Sequence, residues 1–166
     1  MSQDSPEIFT RIYVRHGHRC PMSTLGGRLG LAALKSLDDC DGELQAIYSN
    51  RTCATDGIAE TTGCTEEKGP LIVKNDGRHA LTLSSAQASL EVELTAEALE
   101  MAGHYRSLCH RLEKGWDGLE ADEQARRRAE MEAMLDELLP QFWQAEDQKL
   151  VQKNRKINAK TQRESS

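Results

Sequence analysis

Residues 22–37, MSTLGGRLGLAALKSL, constrain the fold more than any other stretch of this 166-residue chain. Leu25, Leu29, Ala32, Ala33 and Leu37 fall on one helix face, and Ser23 or Thr24 offers an N-cap. Three glycines, Gly26, Gly27 and Gly30, sit inside that helix, where each costs roughly 0.5–1 kcal/mol relative to alanine. Such a cost is tolerated where another backbone packs against the helix at close range. A second element is therefore expected to cross here.

The surrounding order is mixed. Residues 8–14, IFTRIYV, have a strand-like composition that a short helix also tolerates. DDCDGE reads as a turn carrying Cys40, and LQAIYS as a short strand. TCATDGIAETTG predicts a helix ended by Gly63. GPLIVKNDGRHALTLSS predicts a hairpin about Asn75-Asp76-Gly77, and ASLEVEL a further strand. From Thr95 the pattern turns helical up to Gly115, and residues 118–153 form a longer helical stretch, kinked or interrupted at Pro140. The final polar and basic residues are expected to fray.

Composition excludes several classes. A formal net charge of −6 lacks the electrostatic footprint of a nucleic-acid binder. No apolar run approaches the ~20 residues of a membrane span, and MSQDSPEIF is not a signal peptide, so the expected address is the cytoplasm. Five cysteines without a C-x-x-C pair point to reduced thiols rather than a disulfide framework.

The stretch IYVRHGHRCP, residues 12–21, fits two chemistries. Arg15-His16-Gly17-x-Arg19-x-Pro21 matches the RHGxRxP pattern of histidine acid phosphatases, with His79, His104 or His110 as the second histidine. Strands gathered into a hairpin and a neighbour fit poorly with the alternating α/β order of short phosphatases of that type. His16-x-His18-x-Cys20 is also a metal-ligand set. In an extended segment these side chains project from one side, and Pro21 biases Cys20 toward that conformation. Imidazole with thiolate suits zinc and other late first-row metals. The plain alternative is two ordinary histidines and an inert thiol.

Cys53 opens the 52–63 helix, where the dipole favours a thiolate, and Asp56 shares its face. Cys64 follows the far end of that helix, ~16 Å away if the helix is continuous, so the two cysteines share a mononuclear site only if it breaks. Cys40 and Cys109 read as structural.

HGHRCP, GGRLGLAAL, CATDGI, TTGCT, EKGPLIV and DGRHALTL occur in an order and spacing that resemble the FmdE family over about residues 9–95. That family takes its name from a component of molybdenum- or tungsten-dependent formylmethanofuran dehydrogenase. The resemblance implies an α+β fold with a mixed sheet backed by helices, a homodimer, and a cysteine/histidine metal cluster. Its residues carry over as His16, His18, Cys20, Cys53 and Cys64 for the metal, with Asp56, Arg15 and Arg19 beside them. Cys20 and Cys53 are expected to meet, with His16 or His18 completing the set. The chain departs from the family pattern at Met22, Ser49 and Glu67, and residues 119–151 replace a cysteine-rich zinc module.

The expected organisation is an FmdE-like core over 1–95, a C-terminal helical extension over 96–151 and a polar basic tail over 152–166. The expected function is that of a dimeric accessory protein of molybdenum- or tungsten-type redox enzymes that binds a transition metal, zinc foremost. Alternatives are a haem protein using Cys20-Pro21 and a histidine, a metal- or cysteine-dependent hydrolase, and a phosphatase.

Overall fold

A computed structural model of the protein describes residues 4–37 and 42–158, so Cys40 and most of its turn lie outside the described residues. The chain opens with a helix, α1 (Glu7–His16), where composition suggests a strand. Side-chain spacing explains the difference. Phe9, Ile12 and Tyr13 are buried along one helix face, which continues to His16 one turn later, while Val14 on the outer face is 79% exposed. Gly17, at φ +97°, ends α1 in the left-handed conformation and donates its N–H to the Tyr13 carbonyl.

The glycine-rich helix α2 (Pro21–Leu37) begins at Pro21. Proline suits the first helical position because its missing N–H has no partner there anyway. Ser23 and Thr24 do not cap from outside the helix; both hydroxyls donate back to the Cys20 carbonyl. Helix α3 (Ala54–Thr62) crosses α2 at backbone contact. A Cβ on Gly26 would stand 2.1 Å from the Ala54 carbonyl oxygen, and one on Gly57 would stand 2.1 Å from the Ser23 carbonyl oxygen. The glycines thus serve the close crossing that their sequence predicts.

Five strands form one mixed sheet in the order β2-β1-β3-β4-β5: β1 (Gln45–Tyr48), β2 (Leu71–Val73), β3 (Ala80–Ser84), β4 (Ala88–Leu94) and β5 (Val151–Asn158). The hairpin expected around Asn75-Asp76-Gly77 does not form, because β1 lies between β2 and β3. Strand β2 is parallel to β1, with Ile47 opposite Ile72, and β3 is antiparallel to it, with Ile47 opposite Thr82. The intervening turn is held by Ser49, whose carbonyl accepts from the Asp76 and Arg78 amides. The tight hairpin is β3–β4, closed by Ser84 opposite Ser89.

After β4, Thr95 caps α4 (Ala96–Glu113), its hydroxyl accepting from the Ala98 amide. A 3-10 turn at Trp116–Gly118 leads to α5 (Ala121–Gln144). Helix α5 runs through Pro140 without interruption, with Leu135, Leu138, Leu139 and Phe142 buried on either side of it. A single turn, α6 (Asp147–Leu150), then delivers β5 to the edge beside β4. The tail expected to fray is therefore strand up to residue 158. Leu139, Phe142, Leu150 and Val151 join Phe9, Leu29, Leu81 and Val92 in one core, so the helical extension and the first 95 residues pack together.

Arg28 of α2 fastens this junction. Its side chain is only 7% exposed, and its guanidinium donates to the carbonyls of Phe142 and Ala145 and pairs with Asp147 at 2.8 Å. These are otherwise unpaired carbonyls at the end of α5. Arg28→Met keeps the aliphatic volume and removes the donors. It is expected to lower unfolding free energy by about 3 kcal/mol, read by urea denaturation.

Candidate metal centre

Three elements bring the centre together. His16 is the last residue of α1, Cys20 immediately precedes α2, and Cys53 occupies the N-cap position of α3. One ligand atom from each of these residues lies within 4.8 Å of the other two. The expectation that His16, His18 and Cys20 alternate along an extended segment is corrected. Gly17 instead turns the chain back after a helix, so His16 and Cys20 converge from opposite sides of a turn.

The His16 ring is oriented from one side. Its Nδ1 donates to Asp56 Oδ2 at 2.7 Å, as a carboxylate oxygen can only accept. That places the lone pair of the ring on Nε2, which is buried and has no hydrogen-bond partner. An unpaired buried imidazole nitrogen facing two sulfurs is costly, and a cation among the three donors would satisfy it. Donors on one tetrahedral zinc stand about 3.3–3.8 Å apart, so the set closes on an ion by moving about 1 Å at most. The group of His16, Cys20 and Cys53 could therefore hold a metal ion.

Supporting contacts converge on each donor. Asp56 also takes Arg15 at 3.4 Å, and Arg15 and Arg11 pair with Glu60. The Cys20 carbonyl is held by the hydroxyls of Ser23 and Thr24. Thr24 lies 2.6 Å from the Tyr13 hydroxyl, which accepts from Trp143 Nε1 at 3.0 Å. A polar chain thus runs from α5 to the backbone of Cys20. Arg19 also reaches α5, pairing with Glu132 and, at 2.8 Å, with Asp136. Tyr13 and Trp143 carry no metal-site signal in the sequence, because their roles depend on contacts 130 positions apart.

Burial pushes the Cys53 thiol up to about 11, reinforced by the adjacent Cys20 and by Asp56. The helix N-terminus does not deliver the depressed thiol expected there, so this is not the environment of a cysteine nucleophile. A metal ion reverses that balance, since a coordinating thiol is deprotonated outright.

The other expected residues lie apart from the three donors. His18 is exposed, its ring centroid 4.4 Å from that of His16, and its Nδ1 donates to the Arg19 carbonyl. Cys64 sits at the opposite end of α3, buried, its thiol donating to the Leu44 carbonyl. Asp56→Asn is expected to weaken metal affinity about 10–100-fold by loosening the imidazole, measured by chelator competition.

The family model described as FmdE, Molybdenum formylmethanofuran dehydrogenase operon, matches residues 15–152. A probable S-adenosyl-L-methionine-binding protein of Archaeoglobus fulgidus is 34% identical over 85 residues, covering 45% of this chain and 23% of that protein. The chain thus spans about a quarter of the length of that curated relative. The crystal structure of an FmdE-like protein of tungsten formylmethanofuran dehydrogenase from Syntrophus aciditrophicus matches with a TM-score of 0.55 at 21% identity. It covers 95% of this chain and 77% of that one, and shows the same fold. The family match takes in all three converging donors and the elements from α2 to the start of β5, and the chain belongs to the FmdE family.

Proposed function

We propose that this protein is a metal-binding accessory protein in which His16 Nε2, Cys20 Sγ and Cys53 Sγ hold one transition metal ion, zinc foremost. The buried, unpaired His16 Nε2 facing two thiols carries the reading. Three protein donors leave a tetrahedral ion one further position, and a bound zinc supplies a Lewis-acid centre there. The chain's own contribution is to fix the imidazole through Asp56 and to hold Cys20 through Thr24 and Tyr13. The family's operon name and the FmdE-like neighbour support a molybdenum or tungsten formylmethanofuran dehydrogenase as the partner system. The protein acts there as a homodimer in the cytoplasm; no described helix is long and apolar enough to cross a membrane.

The alternatives lose ground to the same contacts. A haem iron has at most two axial positions and would leave one of three converging donors unused. The phosphate-binding role of Arg15 and Arg19 is blocked, since both pair with carboxylates.

Elemental analysis and an absorption spectrum of protein purified without oxygen test the proposal. One zinc or other late transition metal per chain, without a Soret band, is expected. A Soret band, or no metal with none taken up on titration, contradicts it.

A further inference from the structure

Helices α4 and α5 form an antiparallel pair whose far halves carry little core. The ends meet where Arg127 donates to the Leu112 carbonyl at 2.8 Å. Beyond Ala102, α4 has only Leu112 buried, and α5 has no buried residue before Leu135. Between them runs an open groove of about 470 Å³.

The walls of the groove have the same spacing and opposite chemistry. Helix α4 contributes His104, Ser107, Leu108 and Arg111, and α5 contributes Glu130, Ala133, Met134 and Glu137. Each set is i, i+3, i+4, i+7, one face of a bundle helix. One wall ends in two donors, the other in two carboxylates, and half-buried Leu108 and Met134 lie between them. None of the four terminal side chains makes an ion pair among the described residues.

We infer that this groove is the homodimer interface, with the α4–α5 pair of a second copy as its occupant. The inference rests on the homodimer reading and adds where the copies meet. Charge selects the symmetry. A two-fold axis along the groove lays α4 of each copy over α5 of the other. His104 then faces Glu137 of the second copy, Arg111 faces its Glu130, and Leu108 meets its Met134. An axis across the groove stacks α4 on α4 and opposes like charges, which disfavours that register. The product is an antiparallel four-helix bundle, in which two open helix pairs bury each other's apolar strip.

Sedimentation equilibrium of the full chain tests this. Wild type is expected to be a dimer, weakened at high salt. E130K/E137K and H104E/R111E are each expected to dissociate about 100-fold more readily. An equimolar mixture of the two is expected to recover dimer mass, because each variant wall meets its complement. Ala133→Arg, at an exposed position within the groove, gives the same loss of dimer should the charge reversals disturb folding. A dimer whose mass none of these variants changes overturns the groove assignment and leaves the homodimer standing. A wild type that stays monomeric at about 100 μM overturns both. Zinc content, followed in every variant, is expected to be unchanged and reports on the metal reading separately.

Discussion

Cys53→Ser and Cys20→Ser are each expected to lower metal affinity by two to three orders of magnitude. A structural zinc site binds with about 10–16 kcal/mol, and an equal share among three or four donors is roughly 3–5 kcal/mol. At 1.4 kcal/mol per decade this loss is a few hundred- to a few thousandfold. Serine keeps a similar shape but supplies a far weaker ligand to a soft or borderline ion. The comparison variant is Cys64→Ser. Its sulfur faces the Leu44 carbonyl at the other end of α3, so metal content is expected to stay at the wild-type level. Titration with a chromophoric chelator reads all three. Equal loss in Cys64→Ser would place the site elsewhere along α3.

Gly57→Ala is expected to damage fold and site together. The added methyl would stand 2.1 Å from the Ser23 carbonyl oxygen and 2.3 Å from the Gly27 nitrogen. Both are main-chain atoms of α2, so no side chain can rotate away. Two helices must separate by about 1 Å, at a cost of about 3 kcal/mol that exceeds any propensity gain from alanine. For a chain of this size the melting temperature falls by about 6–12 °C. The same separation draws Cys53, at the start of α3, away from Cys20, at the start of α2, so metal affinity falls as well. Gly103→Ala is the control. Gly103 is helical with no atom within 4 Å of a Cβ, so the substitution is expected to be neutral or slightly stabilising. A Gly57→Ala protein that melts and binds metal like wild type would refute the close-crossing account.

The α2 glycines announced this crossing from sequence alone, because a helix keeps three glycines only where something displaces their missing side chains. Helix α1 was legible too, in the spacing of Phe9, Ile12, Tyr13 and His16, but its β-branched and aromatic composition argued for a strand. Spacing prevailed because the face it defines is buried. The false hairpin at Asn75-Asp76-Gly77 failed for a different reason. Turn residues report a reversal of the chain, and they do not report that β1 will occupy the space between the two strands. Strand β5 was hidden by its lysines and arginine, residues that suit an edge strand and resemble a disordered tail.

At the site, the donor types were readable and their assembly was not. The sequence put His16, Cys20, Cys53 and Asp56 in play, and the i, i+3 relation of Cys53 to Asp56 held because α3 starts where its pattern predicts. Choosing His16 over His18 required the turn at Gly17, which buries one imidazole and exposes its neighbour. The hold of Trp143 on Tyr13, and through it on Cys20, joins the two ends of the chain and leaves no local trace.

X-ray absorption at the metal edge of the full-length protein, purified without oxygen, tests the central claim most directly. The account predicts two sulfurs and one imidazole nitrogen bound to the ion, with at most one further light donor. Coordination by nitrogen and oxygen alone would contradict it.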